Sequence, residues 1–436
     1  MLSLPGISNK YADMKNKFSY LPRLCDIELK KSLEASGAVL IEGAKWCGKT
    51  STASNVAKSI LYMQDPDNAV SYQAMIDSKP SLLLRGDVPR LIDEWQMAPV
   101  LWDAVRFEVD KRAGVGQFIL TGSAVPLDNS TFHTGTGRIS RMLMRPMSLY
   151  ESLESNGTVS LIDLFDGKHE LESVSTLTIE QIAFVLCRGG WPASIASEEK
   201  AALRMSVDYV EAVINYDVSR VDGVEKNPNR VRLLLRSLAR NISTLASIQT
   251  IHDDIEATDA AISEKTISCY LNALRRIFVV EDLPAWSPSL RSRTAIRTSA
   301  KRHFVDPSIA TAVMRISPEG VLKDFETFGF LFESLCTRDM RMYAQVNDGD
   351  VFHYRDKNGL EADMIVCLRD GRWCAIEVKL GNKQIEEAAN NLLKLKEIVD
   401  TQKMGEPAFL MVLTGGQFAY RREDGVLVVP LGCLKN

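Results

Sequence analysis

The stretch that most limits what this chain can fold into is Gly43-Ala44-Lys45-Trp46-Cys47-Gly48-Lys49-Thr50, followed by Ser51. Its spacing is G-x-x-x-x-G-K-[ST], the pattern of a phosphate-cradling loop. The flanks fit. Ala38-Val39-Leu40-Ile41 is a short, β-branched apolar run suited to a buried strand. Ser51 to Ile60 has no Gly or Pro and suits a helix. Gly43 and Gly48 let the backbone curl so that successive N–H groups face phosphate oxygens, and the helix N-terminus adds positive potential. Lys49 is expected to reach the β- and γ-phosphates of ATP, and the Thr50 hydroxyl to ligate Mg²⁺.

Pro89-Arg90-Leu91-Ile92-Asp93-Glu94-Trp95 reads as an apolar strand ending in two acids. Asp93 would hold the Mg²⁺ shell, and Glu94 would polarise an attacking water. Gln117 to Ser123 ends a second buried strand in small hydroxyl residues. Ser123, and after it Thr121, is the candidate sensor of the γ-phosphate. Arg138 follows, a candidate finger toward transition-state charge, either in cis or on a neighbouring copy, the second of which would make the protein a homo-oligomer. Cys47, at the positive end of a helix, is expected to have raised thiolate character and to be shielded by ATP.

Strands are expected at 38–42, 59–64, 89–93, 117–121 and 140–144, alternating with helices at 50–58, 70–84 and 98–112. That alternation predicts a parallel sheet with helices on both faces over residues 18–150. Residues 151–227 read as a helical connector. Three helices over 229–239, 247–255 and 263–277, with a strand at 278–283, give a winged-helix-like segment over 228–286. Residues 287–304 carry Arg291, Arg293, Arg297, Lys301 and Arg302 with no acid among them. They are candidate contacts to a DNA backbone. The whole chain is 436 residues long with a net charge of -4, so any nucleic-acid role must rest on such a local patch.

Residues 305–436 read as a C-terminal α/β domain. A helix carries Glu333, and strands carry Asp363 and Glu377-Val378-Lys379. A three-residue loop, Arg369-Asp370-Gly371, pairs Leu368 with Arg372 and therefore Asp363 with Glu377. A two-residue loop would put Asp363 opposite Val378, on the wrong face. Carboxylates so placed suit a second Mg²⁺ or a Mn²⁺, with Lys379 orienting a water. This D…E-x-K pattern is the signature of the PD-(D/E)xK nuclease fold.

These motifs, with Leu120-Thr121-Gly122-Ser123, Arg138 and Arg145-Pro146-Met147-Ser148-Leu149, give a chain that resembles the AAA-type P-loop ATPases of bacteria and archaea that carry a C-terminal domain of unknown function. The resemblance spans roughly residues 18 to 430. It implies an ATPase core with a catalytic Walker B glutamate, a winged helix, and a C-terminal domain similar to PD-(D/E)xK nucleases. Lys45-Trp46-Cys47 departs from the commoner loop of such proteins, which leaves backbone phosphate binding intact.

The eight cysteines are scattered without a C-x-x-C, which argues against a zinc site and for a reducing compartment. No stretch has the apolar length of a membrane span, and the N-terminus lacks a signal pattern, so a cytoplasmic protein without a membrane partner is expected. Three readings follow. One is an ATP-hydrolysing enzyme with a nuclease-like module acting on or near DNA. The others are a nucleotide-driven switch whose C-terminal domain only binds a partner, and a DNA-binding regulator that cuts nothing.

Overall fold

The computed structural model describes residues 20–124, 134–221, 223–259, 261–287 and 299–436. Their packing divides into two units. The first holds residues up to Pro146 with Asn215–Lys226 and Asn272–Val279. Its elements are α1 (Cys25–Ala35), β1 (Ala38–Glu42), α2 (Lys49–Val56), β2 (Ser59–Tyr62), α3 (Ala69–Ser78), β3 (Arg90–Asp93), α4 (Val100–Arg112), β4 (Phe118–Gly122) and β5 (Ile139–Leu143). The strand order is β2-β3-β4-β1-β5, all parallel.

Side chains alternate along a strand, and β1 uses both faces. Ala38 and Leu40 enter one core with Ile92, Trp102 and Leu120. Val39 and Ile41 enter the other with Leu29, Leu91 and Met142. Each fully buried aliphatic side chain contributes about 1.5–3 kcal/mol, which is why an unbroken apolar run makes the central strand. The register aligns the ends of β1, β3 and β4. Glu42 lies beside Gly122, and Ile92 beside Leu120. The phosphate loop, Asp93 and Thr121 therefore emerge along one sheet edge, where open α/β sheets bind ligands.

The second unit holds Met147–Ile214, Asn227–Leu271 and Val280–Asn436. Its helices include α5 (Ile179–Arg188), α6 (Glu199–Ala212), α7 (Pro228–Arg240) and α8 (Ile248–Glu256). Helix α9 (Glu264–Arg276) follows, its residues from Asn272 on counted with the first unit, then α10 (Pro307–Met314) and α11 (Phe325–Gln345). Helices α7, α8 and α9 occupy the middle segment read as winged-helix-like. The expected strand over 278–283 does not form. Phe278 takes a left-handed φ of 57°, which breaks the extended run. Isolated bridges follow instead, Val280 to Phe304 and Leu283 to Lys301 antiparallel and Ala285 to His353 parallel.

The sheet of this unit comprises β6 (Gly349–Arg355), β7 (Glu361–Leu368), β8 (Trp373–Lys379), β9 (Leu410–Thr414), β10 (Phe418–Arg421) and β11 (Leu427–Pro430). With a short strand at Ser173–Val174, the order is 173–174, β10, β11, β9, β8, β7, β6. The β8–β9 and β9–β11 pairs are parallel. Helix α12 (Ile385–Ile398) makes the β8-to-β9 crossover and buries Ile385, Ala388, Ala389, Leu392 and Leu395, one helical face. The β7–β8 hairpin takes the three-residue register: Leu368 N–H donates to Arg372 O at 2.9 Å, and Ile376 pairs with Met364. Gly371, at φ 93°, supplies the left-handed residue of the turn. The next pair in that register is Glu377 and Asp363.

Candidate functional site

The first unit presents the phosphate loop between β1 and α2. Gly43 has φ 154°, and a Cβ there would stand 2.1 Å from Met144 O, so only glycine fits. Gly48 takes φ 105° as the residue before α2. Trp46 also adopts a left-handed φ, 66°, in the body of the loop. Lys49 is buried, and its Nζ donates to Gly43 O at 2.9 Å and Ala44 O at 2.8 Å. Its ammonium thus lies in the bowl of the loop. Arg23 braces the same loop by donating to Cys47 O at 2.8 Å. Lys45 is tied to Asp217 at 2.5 Å, a partner 172 positions away that no local pattern indicates.

The acids of β3 meet this loop. Thr50 Oγ1 donates to Asp93 Oδ1 at 2.7 Å, and Thr121 Oγ1 donates to the same oxygen at 2.7 Å. Thr121 Oγ1 also accepts the Glu94 N–H at 3.1 Å. Glu94 stands at φ 56°, a left-handed turn that redirects the chain immediately after the strand. Ser123 Oγ donates to Glu94 Oε2 at 3.0 Å, and the Gln96 amide donates to the same oxygen. Gln96 went unassigned in the sequence reading; a polar amide two residues past the acid pair was the available signal. Ser51, next along α2, is exposed.

Cys47 differs from expectation. It is fully buried in the apolar cluster with Cys25, Leu29 and Ile41, so its thiol faces the core and only its backbone belongs to the loop. Arg138 makes an exposed ion pair with Asp110 of α4 at 2.9 Å.

The second unit gathers Glu333 of α11, Asp363 of β7, and Glu377 and Lys379 of β8 around a fifth group, Lys301. Lys301 Nζ donates to Glu333 Oε1 at 2.7 Å and to Asp363 Oδ1 at 3.0 Å. Lys379 Nζ donates to Glu377 Oε2 at 2.7 Å and lies 3.9 Å from Asp363 Oδ2. The Val378 N–H also donates to Asp363 Oδ2, at 2.8 Å. Burial, then the Asp363 charge, raises both Glu333 and Glu377 to about 8. For Asp363 burial acts upward, but Lys301, Lys379 and the Val378 N–H outweigh it and hold the carboxyl below its usual range. The expected metal set does not converge. Among the described residues, the one trio with ligand atoms within 4.8 Å of each other is His252, Asp253 and Glu256 on α8.

The basic stretch also departs from expectation. Lys301 and Arg302 are buried and cannot lie along a DNA backbone as free surface cations. Arg302 donates to Asp282 Oδ2 and Ala246 O, both at 2.8 Å. A buried cation needs such partners to offset lost hydration. Arg291, Arg293 and Arg297 lie outside the described residues.

A family model described as an AAA domain matches residues 35–153. Residues 35–153 are thus similar to AAA domains and contain the phosphate loop described above. Residues 179–320 and 328–434 match two models described as domains of unknown function, DUF8612 and DUF4143. Uncharacterized proteins of Mycobacterium tuberculosis and Mycobacterium bovis are each 24% identical over 413 residues, spanning 92% of this chain and 82% of the relative. Among solved structures, a Walker-type ATPase of Pyrococcus abyssi aligns with a TM-score of 0.42 and 15% identity, covering 68% of this chain and 96% of that one. A DNA polymerase III gamma subunit-related protein of Thermotoga maritima aligns at a TM-score of 0.22 and 11% identity, covering 74% and 100%. No helix among the described residues is long and apolar enough to cross a membrane.

Proposed function

We propose that the ATPase domain binds ATP with Mg²⁺ and hydrolyses it. The observation that carries this reading is the hydroxyl pair on Asp93: Thr50 and Thr121 both donate to Oδ1 at 2.7 Å, joining the phosphate loop to the acid strand. Thr50 and Asp93 are hard oxygen donors of the kind Mg²⁺ takes alongside phosphate oxygens, and they fit it. Bound there, Mg²⁺ would neutralise phosphate charge. Lys49 would turn from its own loop carbonyls to the β- and γ-phosphates. Glu94, oriented by Ser123 and Gln96, would accept a proton from the attacking water. Lys49→Ala should abolish Mg²⁺-dependent ATP turnover by the full chain; turnover at the wild-type rate would remove the assignment.

For the second unit we favour a PD-(D/E)xK-like domain used as a nucleotide-dependent binding module over a cutting one, because Lys301 lies among the carboxylates. Action on or near DNA draws support from a cleft of about 780 Å³ lined by Arg230, Arg232, Arg236 and Arg315. Arg230 and Arg232 pair with Asp259 and Glu211. Arg236 and Arg315 are exposed and have no acidic partner among the described residues. Filter binding of DNA should weaken several-fold in Arg236→Ala/Arg315→Ala, and its salt dependence should become shallower. Unchanged binding would remove DNA from the reading.

A further inference from the structure

The PD-(D/E)xK resemblance implies a divalent ion among Glu333, Asp363 and Glu377, and the geometry does not fit one. We propose that Lys301 is a resident cation occupying that position, so that the native centre takes no divalent metal. This rests on reading the second unit as PD-(D/E)xK-like.

Three observations carry it. First, Lys301 Nζ bridges Glu333 Oε1 and Asp363 Oδ1 at 2.7 and 3.0 Å, the two carboxylates a metal would have to share. An ion and an ammonium cannot both occupy that gap. Second, Lys301 is built in. Its N–H donates to Leu283 O at 2.9 Å, and its carbonyl accepts the Leu283 N–H at 2.8 Å. The next residue, Arg302, is anchored by Asp282 and Ala246 O. The ammonium is therefore positioned by backbone pairing as well as by attraction to the acids. Third, Lys379 answers Glu377 at 2.7 Å, so the third carboxylate also has an internal cation.

The charge balance agrees. Lys301 and Lys379 place two ammonium groups among the three carboxyls, so the centre carries its own counter-charge. The remaining groups facing Lys301 are His353, whose ring Nε2–H donates to Ser299 O at 3.1 Å, and His303, near Ser334 Oγ at 3.4 Å. Burial and then nearby positive charge lower both imidazoles, Lys301 acting on each, so they stay neutral and add no cation. Lys301 belongs to the basic run read from sequence as a nucleic-acid contact. Its site instead assigns it as an internal counter-ion.

The test is Mn²⁺ binding to the full, nucleotide-free chain, followed by loss of the free-Mn²⁺ electron paramagnetic resonance signal. Wild type and Asp363→Asn should titrate alike. Binding by wild type that Asp363→Asn abolishes overturns the proposal. Lys301→Ala should gain a saturable site at least about tenfold tighter, lost again in Lys301→Ala/Asp363→Asn. Mn²⁺ should also raise the Tm of Lys301→Ala and leave that of wild type unmoved. A folded Lys301→Ala protein that gains no site shows that these carboxylates are not a metal position, and the PD-(D/E)xK-like reading fails with it. Should Lys301→Ala not fold, the wild-type and Asp363→Asn pair decides alone.

Discussion

Thr121 donates its hydroxyl to Asp93 Oδ1 at 2.7 Å, and Thr121 Oγ1 itself accepts the Glu94 N–H at 3.1 Å. One fully buried hydroxyl on β4 thus orients both acids at the end of β3. Thr121→Val keeps the shape and removes both bonds. It should cost about 1–3 kcal/mol of stability, because the Glu94 N–H loses its acceptor, and should lower kcat about tenfold by loosening the acid pair. Urea denaturation with steady-state ATPase measurement checks both; unchanged kcat would mean that Thr121 only packs.

Arg338 is the most enclosed cation among the second unit's ion pairs. It lies between Asp306 at 2.8 Å and Asp339 at 2.7 Å, and all three side chains are almost wholly buried. Asp306 also accepts the Gly190 N–H, and Asp339 the Leu149 N–H. Arg338→Met should destabilise the unit by about 3–5 kcal/mol, since two buried carboxylates lose their counter-ion. Hydrogen exchange across α5 and α11 measures this; protection equal to wild type would contradict it.

The glutamates of the lysine-closed centre set a pH dependence. A carboxyl raised to about 8 in the folded state keeps a proton that the unfolded chain has already released. Stability therefore falls as pH rises from about 5 to about 8, by at most about 1.4 kcal/mol per pH unit for each group. Asp363 has the opposite sign, because its depressed pKa adds stability that is lost only as pH falls through the acid range. Glu377→Gln removes one titration and should flatten the decline between about pH 5 and 8. Denaturation across that range checks this, and a decline equally steep in Glu377→Gln would contradict it.

The burial of Cys47 reverses the reactivity expected of a thiol in a phosphate loop. Native labelling with iodoacetamide should modify the exposed Cys269 and spare Cys47, with or without ATP. Mass spectrometry showing Cys47 labelled as fast as Cys269 would place the thiol toward the ligand instead.

What the sequence made legible was local. The apolar run before Gly43 marks β1, and Arg369-Asp370-Gly371 sets the β7–β8 register, because period-two alternation and turn chemistry act within a few residues. What it concealed was long-range. Lys301 stands in a run without acids, and its partners Glu333 and Asp363 lie 32 and 62 positions on, so the run looked like surface. Cys47 misled for a related reason: loop membership fixes its backbone, while the direction of its side chain depends on α1 packing above it. Lys45 is likewise tied to Asp217 by the fold alone.

The central claim is ATP hydrolysis with Glu94 as the water-activating base. The most direct measurement is single-turnover hydrolysis together with ATP binding in Glu94→Gln. Gln keeps the side-chain shape and can still meet Ser123, but it cannot accept the water's proton. ATP should bind with near wild-type affinity, while the hydrolysis rate falls by about 10²–10⁴-fold. Hydrolysis at the wild-type rate in Glu94→Gln would contradict the account.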